Sequence, residues 1–382
     1  MRNGKKKKVL FITGTRADYG KIKSLMKMME RSGDYDVFIY VSGMHLLTKY
    51  GSTYREVIKD GYKNVYVAFG QPHTDNMSYN LGGVLTSLSA YVEEIEPDMI
   101  IVHGDRIDAL AGAITGALNN ILVAHIEGGE LSGTIDDSIR HAISKFAHLH
   151  FVCNEEAKKR IIQLGESEEH IYVIGSPDID VMISENLPDL LDVKKYYEIP
   201  FDEYGIFMYH PVTTELSLLN EHMTEIINAL KQSAKNYVVI YPNNDMGTEI
   251  IVDKISELDG MKQFRIFPSI RFEYFLTLLK NASMIIGNSS AGIRESGVYG
   301  VPAIDIGTRQ NGRYDIRTLQ NIQHVRENAA DILEAIKGAP DFRIQCQSFG
   351  KGNSTEQFVR ILQEKDIWDC GIQKRFVDLP DW

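Results

Sequence analysis

Short apolar runs rich in Val, Ile and Phe alternate along the chain with longer stretches whose apolar residues recur every three to four positions. These are the signatures of a buried strand and of an amphipathic helix. In the first half the pattern predicts strands at 9–13, 37–41, 99–103, 122–126, 150–153 and 171–174. Helices are predicted between them at 17–31, 107–118, 138–147 and 155–164, among others. A second series follows, with strands at 205–209, 238–241, 265–268, 284–287 and 303–306 and helices such as 216–233 and 272–279. Strand and helix in alternation imply α/β architecture, with doubly wound parallel sheets and right-handed crossovers. The two series break at 176–203, a stretch with Pro177, Pro188 and Pro200 and no strong strand signal. The 382 residues suit two Rossmann-like domains of about 150–200 residues each. The boundary is expected in that break, with one domain over 1–180 and the second over 181–354. Polar groups at the strand carboxyl ends of both predict an active-site cleft between them.

Charge and composition narrow the function classes. A net charge of −11 argues against nucleic acid or an anionic membrane as the main partner. It leaves room for an anionic small molecule, which needs only a local positive pocket. No apolar run approaches the ~20 residues that span a bilayer. The run after Lys5 to Lys8 is too short for a signal peptide. Cys153, Cys346 and Cys370 have no paired spacing, which fits neither a disulfide framework nor a zinc site and suits a reducing cytoplasm.

The chemistry-bearing residues gather where strands end. In Ile285-Ile-Gly-Asn-Ser-Ser-Ala-Gly-Ile-Arg-Glu295 a strand runs into a helix expected near Ser290. Free N–H groups there, with the hydroxyls of Ser289 and Ser290, can cradle a diphosphate. Glu295, about a turn and a half along, can accept hydrogen bonds from ribose hydroxyls. A plain serine cap with a solvated glutamate is the alternative. Thr13-Gly-Thr-Arg-Ala-Asp-Tyr-Gly20 follows the first strand without the spacing of a dinucleotide fingerprint, which weighs against NAD. Arg16 there can grip phosphate. Equally, the segment can be a helix start with Asp18 on its dipole.

His103-Gly-Asp-Arg106, His125-Ile-Glu-Gly-Gly-Glu130 and Thr134-Ile-Asp-Asp-Ser-Ile-Arg-His141 place Asp105, Glu127 and Asp136 at or just beyond consecutive strand ends. Neighbouring strands lie ~5 Å apart, so such carboxylates can share a pocket and split their pKa values into an acid and a base. Asp136 with Arg140 and Asp137 with His141 can also be simple i,i+4 pairs. His210-Pro-Val-Thr-Thr214, Gly307-Thr-Arg-Gln-Asn-Gly-Arg313 and Pro268-Ser-Ile-Arg-Phe272 end further strands and offer His210, Arg309, Arg313 and a ring.

Taken together and in this order, these motifs over 9–313 resemble the hydrolysing UDP-N-acetylglucosamine 2-epimerases of bacterial sialic acid synthesis. The non-hydrolysing relatives typically read His-Val-Glu-Ala-Gly-Leu-Arg where this chain reads His-Ile-Glu-Gly-Gly-Glu. The resemblance implies a glycosyltransferase-B type arrangement, with the final helix near 355–362 and the tail to 382 crossing back onto the first domain. It implies Asp105, Glu127 and Asp136 as acid–base groups and His210 near the leaving group. Ser289, Ser290 and Arg309 would then hold the diphosphate, with help from Arg16, and Glu295 the ribose. It also implies a cytoplasmic homodimer or homotetramer that takes a UDP-sugar and needs neither NAD nor a metal ion. Four rival readings remain: the same chemistry on a UDP-2,4-diacetamido-trideoxy sugar, a non-hydrolysing epimerase, a UDP-sugar glycosyltransferase and a non-catalytic nucleotide-sugar sensor.

Overall fold

A computed structural model describes residues 6–72, 74, 76–132, 134–346, 348–364 and 366–378. The chain divides into two compact units. One comprises residues 1–130, 136–183 and 349–382, the other 131–135 and 184–348.

The first unit runs β1 (Lys7–Thr13), α1 (Arg16–Ser32), β2 (Tyr35–Val41), α2 (Tyr54–Lys59), β3 (Asn64–Val67), α3 (Met77–Ile95) and β4 (Met99–His103). It continues through α4 (Ile107–Leu118), β5 (Leu122–Ile126), α5 (Ile135–Phe146), β6 (Leu149–Val152), α6 (Glu155–Gln163), β7 (Ile171–Val173) and α7 (Pro177–Met182). Its seven strands lie in the order β3-β2-β1-β4-β5-β6-β7, every pair parallel. Side chains alternate across such a sheet, and both faces are covered here. Phe11, Ile39 and Ile101 pack with α1 on one face, while Leu10, Ile100 and Val102 pack with α3 and α4 on the other.

The second unit runs α8 (Leu190–Tyr196), β8 (Gly205–Met208), α9 (Leu219–Gln232), β9 (Tyr237–Ile240), α10 (Thr248–Ser256), β10 (Phe264–Phe267) and α11 (Phe272–Lys280). After these come β11 (Met284–Gly287), α12 (Glu295–Tyr299), β12 (Ala303–Ile306), β13 (Ile322–Val325) and α13 (Ala329–Gly338). The six strands are parallel in the order β10-β9-β8-β11-β12-β13. The last helix, α14 (Ser354–Glu364), belongs to the first unit. There Phe358 packs edge-on against Phe151, with ring centroids 4.6 Å apart.

The predicted strands 99–103, 122–126, 284–287 and 303–306 and the helix 107–118 have the observed bounds, and the other predicted elements are offset by a few residues at their ends. The named predicted elements did not include β3 or β13, or the helices α2, α3, α7, α8, α10 and α13. β3 and β13 are four-residue edge strands, mostly half-buried, so their sequences carry little apolar signal. α3 carries Gly82 and Gly83 inside a helix; a Cβ on Gly83 would overlap the Pro72 ring. Among the described residues no helix is long and apolar enough to cross a membrane.

Candidate functional site

In the first unit β4 and β5 are neighbours in register, with His103 opposite Ile126, so Asp105 and Glu127 leave adjacent strand ends. Glu127 sits in the left-handed region at φ 66°, uncommon for a residue with a long side chain. Its N–H donates to the Phe151 carbonyl at 3.0 Å and its carboxylate accepts the Ser176 hydroxyl at 2.6 Å. His103 Nε2 lies 3.3 Å from the same carboxylate. The chain can turn away at once because Gly129 (φ 76°) lies so close to α6 that a Cβ would overlap the Ala157 carbonyl.

Asp105 follows Gly104, which is in the left-handed region and is fixed from two sides. Its N–H donates to the Ile126 carbonyl at 3.0 Å, and its own carbonyl accepts His125 Nε2 at 2.8 Å. His125 is wholly buried, with Nδ1 against Ser144 Oγ at 3.1 Å. Burial holds its pKa down at about 3. It is therefore a neutral brace under the Asp105 turn.

Asp136 stands in the first turn of α5, where the helix dipole favours a carboxylate. One turn later, Arg140 pairs with Asp105, and its Nη1 donates to the Glu130 carbonyl at 3.1 Å. Burial would lower the Arg140 pKa, but Asp105 first, then Glu130, Glu127 and Asp136, raise it. The three predicted acids thus lie within electrostatic reach of one buried guanidinium. Sequence reasoning treated Arg140 only as a helical partner of Asp136; its i,i+4 spacing pointed along the helix, whereas its fork reaches across to the β4 end. Asp137 keeps the weaker helical contact, 3.8 Å from His141.

The turn after β1 resolves largely into a helix start. Thr15 and Asp18 form a reciprocal cap on α1, and Asp18 also accepts the Gly14 N–H at 3.0 Å and the Thr13 hydroxyl. Burial pushes Asp18 up to about 6, against those hydrogen bonds. Arg16 is engaged twice by Glu56, at 2.6 and 3.1 Å. Beside this turn, Asp108 accepts the Ser42 hydroxyl, and Gly14 and Gly43 pack on its carboxylate too closely for any side chain. That buried group was not predicted, and its signal was only two glycines.

In the second unit the anion-type loop hangs on Asn288. Gly287 has φ 132°, and a Cβ there would overlap the Met208 backbone. Asn288 then binds the β8 end through its whole amide: Oδ1 accepts the His210 N–H at 2.6 Å and Nδ2 donates to the His210 carbonyl at 2.8 Å. Its own carbonyl accepts Arg309 at 3.2 Å and Gln310 at 2.7 Å. His210, Arg309 and the Ser289 loop are thereby brought together. The Asn243 N–H donates to His210 Nδ1 at 3.1 Å, which places the ring hydrogen on Nε2.

The helix expected to start near Ser290 is a correction. A single 3-10 turn, Ser290–Gly292, is capped by Ser289 and followed by the short α12, whose first residue is Glu295. Glu295 is 3% exposed, so it is not a solvated surface group. Gly300, in the left-handed region at φ 65°, ends α12 after five residues.

A cavity of about 440 Å³ is lined by Tyr196, Tyr197, Leu258 and Phe267 and contains none of the predicted site residues. Arg271, from the 268–272 segment, lies over the Tyr196 and Tyr274 rings at 5.1 and 5.5 Å. Glu215, His222 and Glu327 hold three donor atoms within 4.8 Å of one another. The Thr308 and Tyr209 hydroxyls donate to the two carboxylates at 2.6 and 3.3 Å.

The profile of the UDP-N-acetylglucosamine 2-epimerase family matches residues 27–363. The chain belongs to that family. It is 47% identical over 376 residues to a UDP-N-acetylglucosamine 2-epimerase of Neisseria meningitidis serogroup B, covering 98% of this chain and 99% of that one. It is 32% identical to the UDP-N,N'-diacetylbacillosamine 2-epimerase (hydrolyzing) of Legionella pneumophila, over 94% and 96% of the two chains. The fold, α/β of glycosyltransferase-B type, is that of solved members of the family. The Methanocaldococcus jannaschii UDP-GlcNAc 2-epimerase in complex with UDP-GlcNAc and UDP superposes with a TM-score of 0.80 at 21% identity, over 94% of this chain and all of that one. A Neisseria meningitidis enzyme bound to UDP-GlcNAc gives 0.78 at 17% identity, with the same coverage.

Proposed function

We propose that this enzyme hydrolyses UDP-N-acetylglucosamine with inversion at C2, giving N-acetylmannosamine and UDP as the first step of sialic acid synthesis. The observation that carries the reading is the cluster of Asp105, Glu127 and Asp136 about one buried guanidinium, in a chain 47% identical to a named 2-epimerase. In the α-linked gluco substrate, H2 and the UDP oxygen are axial on opposite faces of the ring. A base takes H2 as UDP leaves, forming a 2-acetamidoglucal. Water then adds at C1 and a proton at C2 from one face, giving the manno sugar. The scheme needs proton-transfer groups on both faces, which one carboxylate cannot supply. Asp105, Glu127 and Asp136 take those roles. His210, with its hydrogen on Nε2, donates toward the departing diphosphate. Ser289, Ser290 and Arg309 bind the diphosphate and Glu295 the ribose; Arg16 adds positive charge, although its pairing with Glu56 makes it the least committed of the set. The chemistry calls for no NAD and no metal ion.

Hydrolysis rather than simple epimerisation is supported by the His-Ile-Glu-Gly-Gly-Glu sequence and by the hydrolysing Legionella relative. That relative also favours one second reading, the same reaction on a UDP-diacetamido sugar. Proton NMR time courses in D2O, with UDP-N-acetylglucosamine and with the UDP-diacetamido sugar, test both. Free UDP and N-acetylmannosamine deuterated at C2 are expected. UDP-N-acetylmannosamine would overturn hydrolysis, and turnover of the diacetamido substrate alone would shift the assignment to that sugar.

A further inference from the structure

Arg140 has no part in the roles just assigned, yet it is the most constrained charged group of the first unit's site. It is 2% exposed, on a helix face whose other buried positions are Asp136, Ile139, Ile143 and Ser144. A buried cation is costly unless paired and hydrogen-bonded. Arg140 meets both conditions, and its two hydrogen bonds go to the segments that follow β4 and β5. Nη1 is anchored on the Glu130 carbonyl beyond β5, and Nη2 meets the Asp105 carboxylate beyond β4. Anchoring one arm on backbone fixes the plane of the guanidinium, so the other arm fixes where the Asp105 oxygen sits.

The groups around it are His103 and Asp105 from β4 and its turn, His125, Glu127 and Glu130 from β5 and its turn, and Asp136 and Asp137 from α5. Five carboxylates therefore surround the Arg140 guanidinium, and among the described residues only Asp105 holds it in a direct side-chain pair at contact distance. Asp137 is 3.8 Å away.

We infer that Arg140 is a positioning residue, which fixes the Asp105 carboxylate in place and in its ionised form so that the acids of the cluster differ in protonation. The chemical meaning of that division rests on the epimerase reading above; the positioning itself does not. A purely structural pin between the β4 and β5 turns would hold the fold and leave the proton chemistry unchanged.

The test uses the full-length enzyme with Arg140→Gln and Arg140→Lys. In Arg140→Gln, kcat is expected to fall by about 100-fold with KM within about threefold of wild type, the loss associated with one impaired proton-transfer group. The acid limb of its kcat/KM profile should move up by about one pH unit, because an opposite charge in contact favours the ionised carboxyl. Arg140→Lys, which keeps the charge and loses the fork, should lie between the two. Carbon-13 titration of the aspartate carboxyls, with the Asp105 signal assigned by its loss in Asp105→Asn, reads the same shift without turnover. A folded variant whose limb and Asp105 midpoint match wild type would overturn the inference. If Arg140→Gln does not fold, the lysine variant decides by the same two readouts. If the wild type turns over no UDP-sugar, the epimerase reading fails, and the Asp105 titration alone still decides the role of Arg140.

Discussion

Glu127 occupies a backbone conformation that costs a residue of its kind about 1–3 kcal/mol. The strain is held by a hydrogen bond from each side, the Phe151 carbonyl on its amide and the Ser176 hydroxyl on its carboxylate. At this scale the three acids have different surroundings: Asp105 meets a guanidinium, Glu127 a hydroxyl and an imidazole, and Asp136 a helix dipole. Asp105→Asn, Glu127→Gln and Asp136→Asn are each expected to lower net turnover by about 10²–10⁴-fold. At least one should release the glucal, because elimination and hydration need different groups. Product analysis by NMR checks this, and near-normal turnover in all three would remove the cluster from the mechanism. The acids themselves were legible in the sequence, since they follow strands. Arg140 and Asn288 were not, because their partners are distant in sequence and become neighbours only when the sheet aligns the strand ends.

At the scale of elements, β5 does more than present Glu127. Its His125 supports the neighbouring turn from within, and that support requires a neutral ring. A histidine with a folded pKa of about 3, against about 6.5 when unfolded, contributes stability that is complete above pH 6.5 and lost as pH falls toward 3. His45, braced between Thr13 and Thr53, is likewise held at about 3, by burial and then by Arg16. Asp18 acts in the opposite sense: its folded pKa of about 6 exceeds the unfolded value, so its burden is relieved as pH falls through 6 toward 4. Two histidines outweigh one aspartate, and the first unit should weaken on acidification. His125→Gln should remove about 2 kcal/mol of the loss between pH 6.5 and 5, seen as a shallower fall of Tm with pH. A slope equal to wild type would refute the assignment. The strands that build this arrangement were readable because buried parallel strands are continuous apolar runs. β3 and β13 were hidden because edge strands bury less.

At the scale of the molecule, the first unit is closed by residues from the far end of the chain. Phe358, Val359, Leu362 and Ile367 complete the core built by β1 and α1. Beyond them Lys374 donates to the Ser144 and Lys145 carbonyls, at the end of the helix that carries Asp136 and Arg140, and to Glu166. Burial pushes Glu166 up, but hydrogen bonds from His150, Lys145 and Lys374 prevail and hold it at about 2. A fragment of residues 1–183 should therefore remain loosely packed, binding a hydrophobic dye and unfolding without cooperativity, and a peptide of residues 349–382 should restore a cooperative transition. Cooperative unfolding of the fragment alone would show the closing segment to be dispensable. The same closure sets an order of events on the ribosome. Residues 184–348 must all be synthesised after the first unit's sheet is complete and before its last core residues exist, which takes roughly 10–30 seconds at about 5–20 residues per second. For that interval the nascent chain carries every strand of the first unit with one apolar flank bare, the period in which chaperone capture competes with folding.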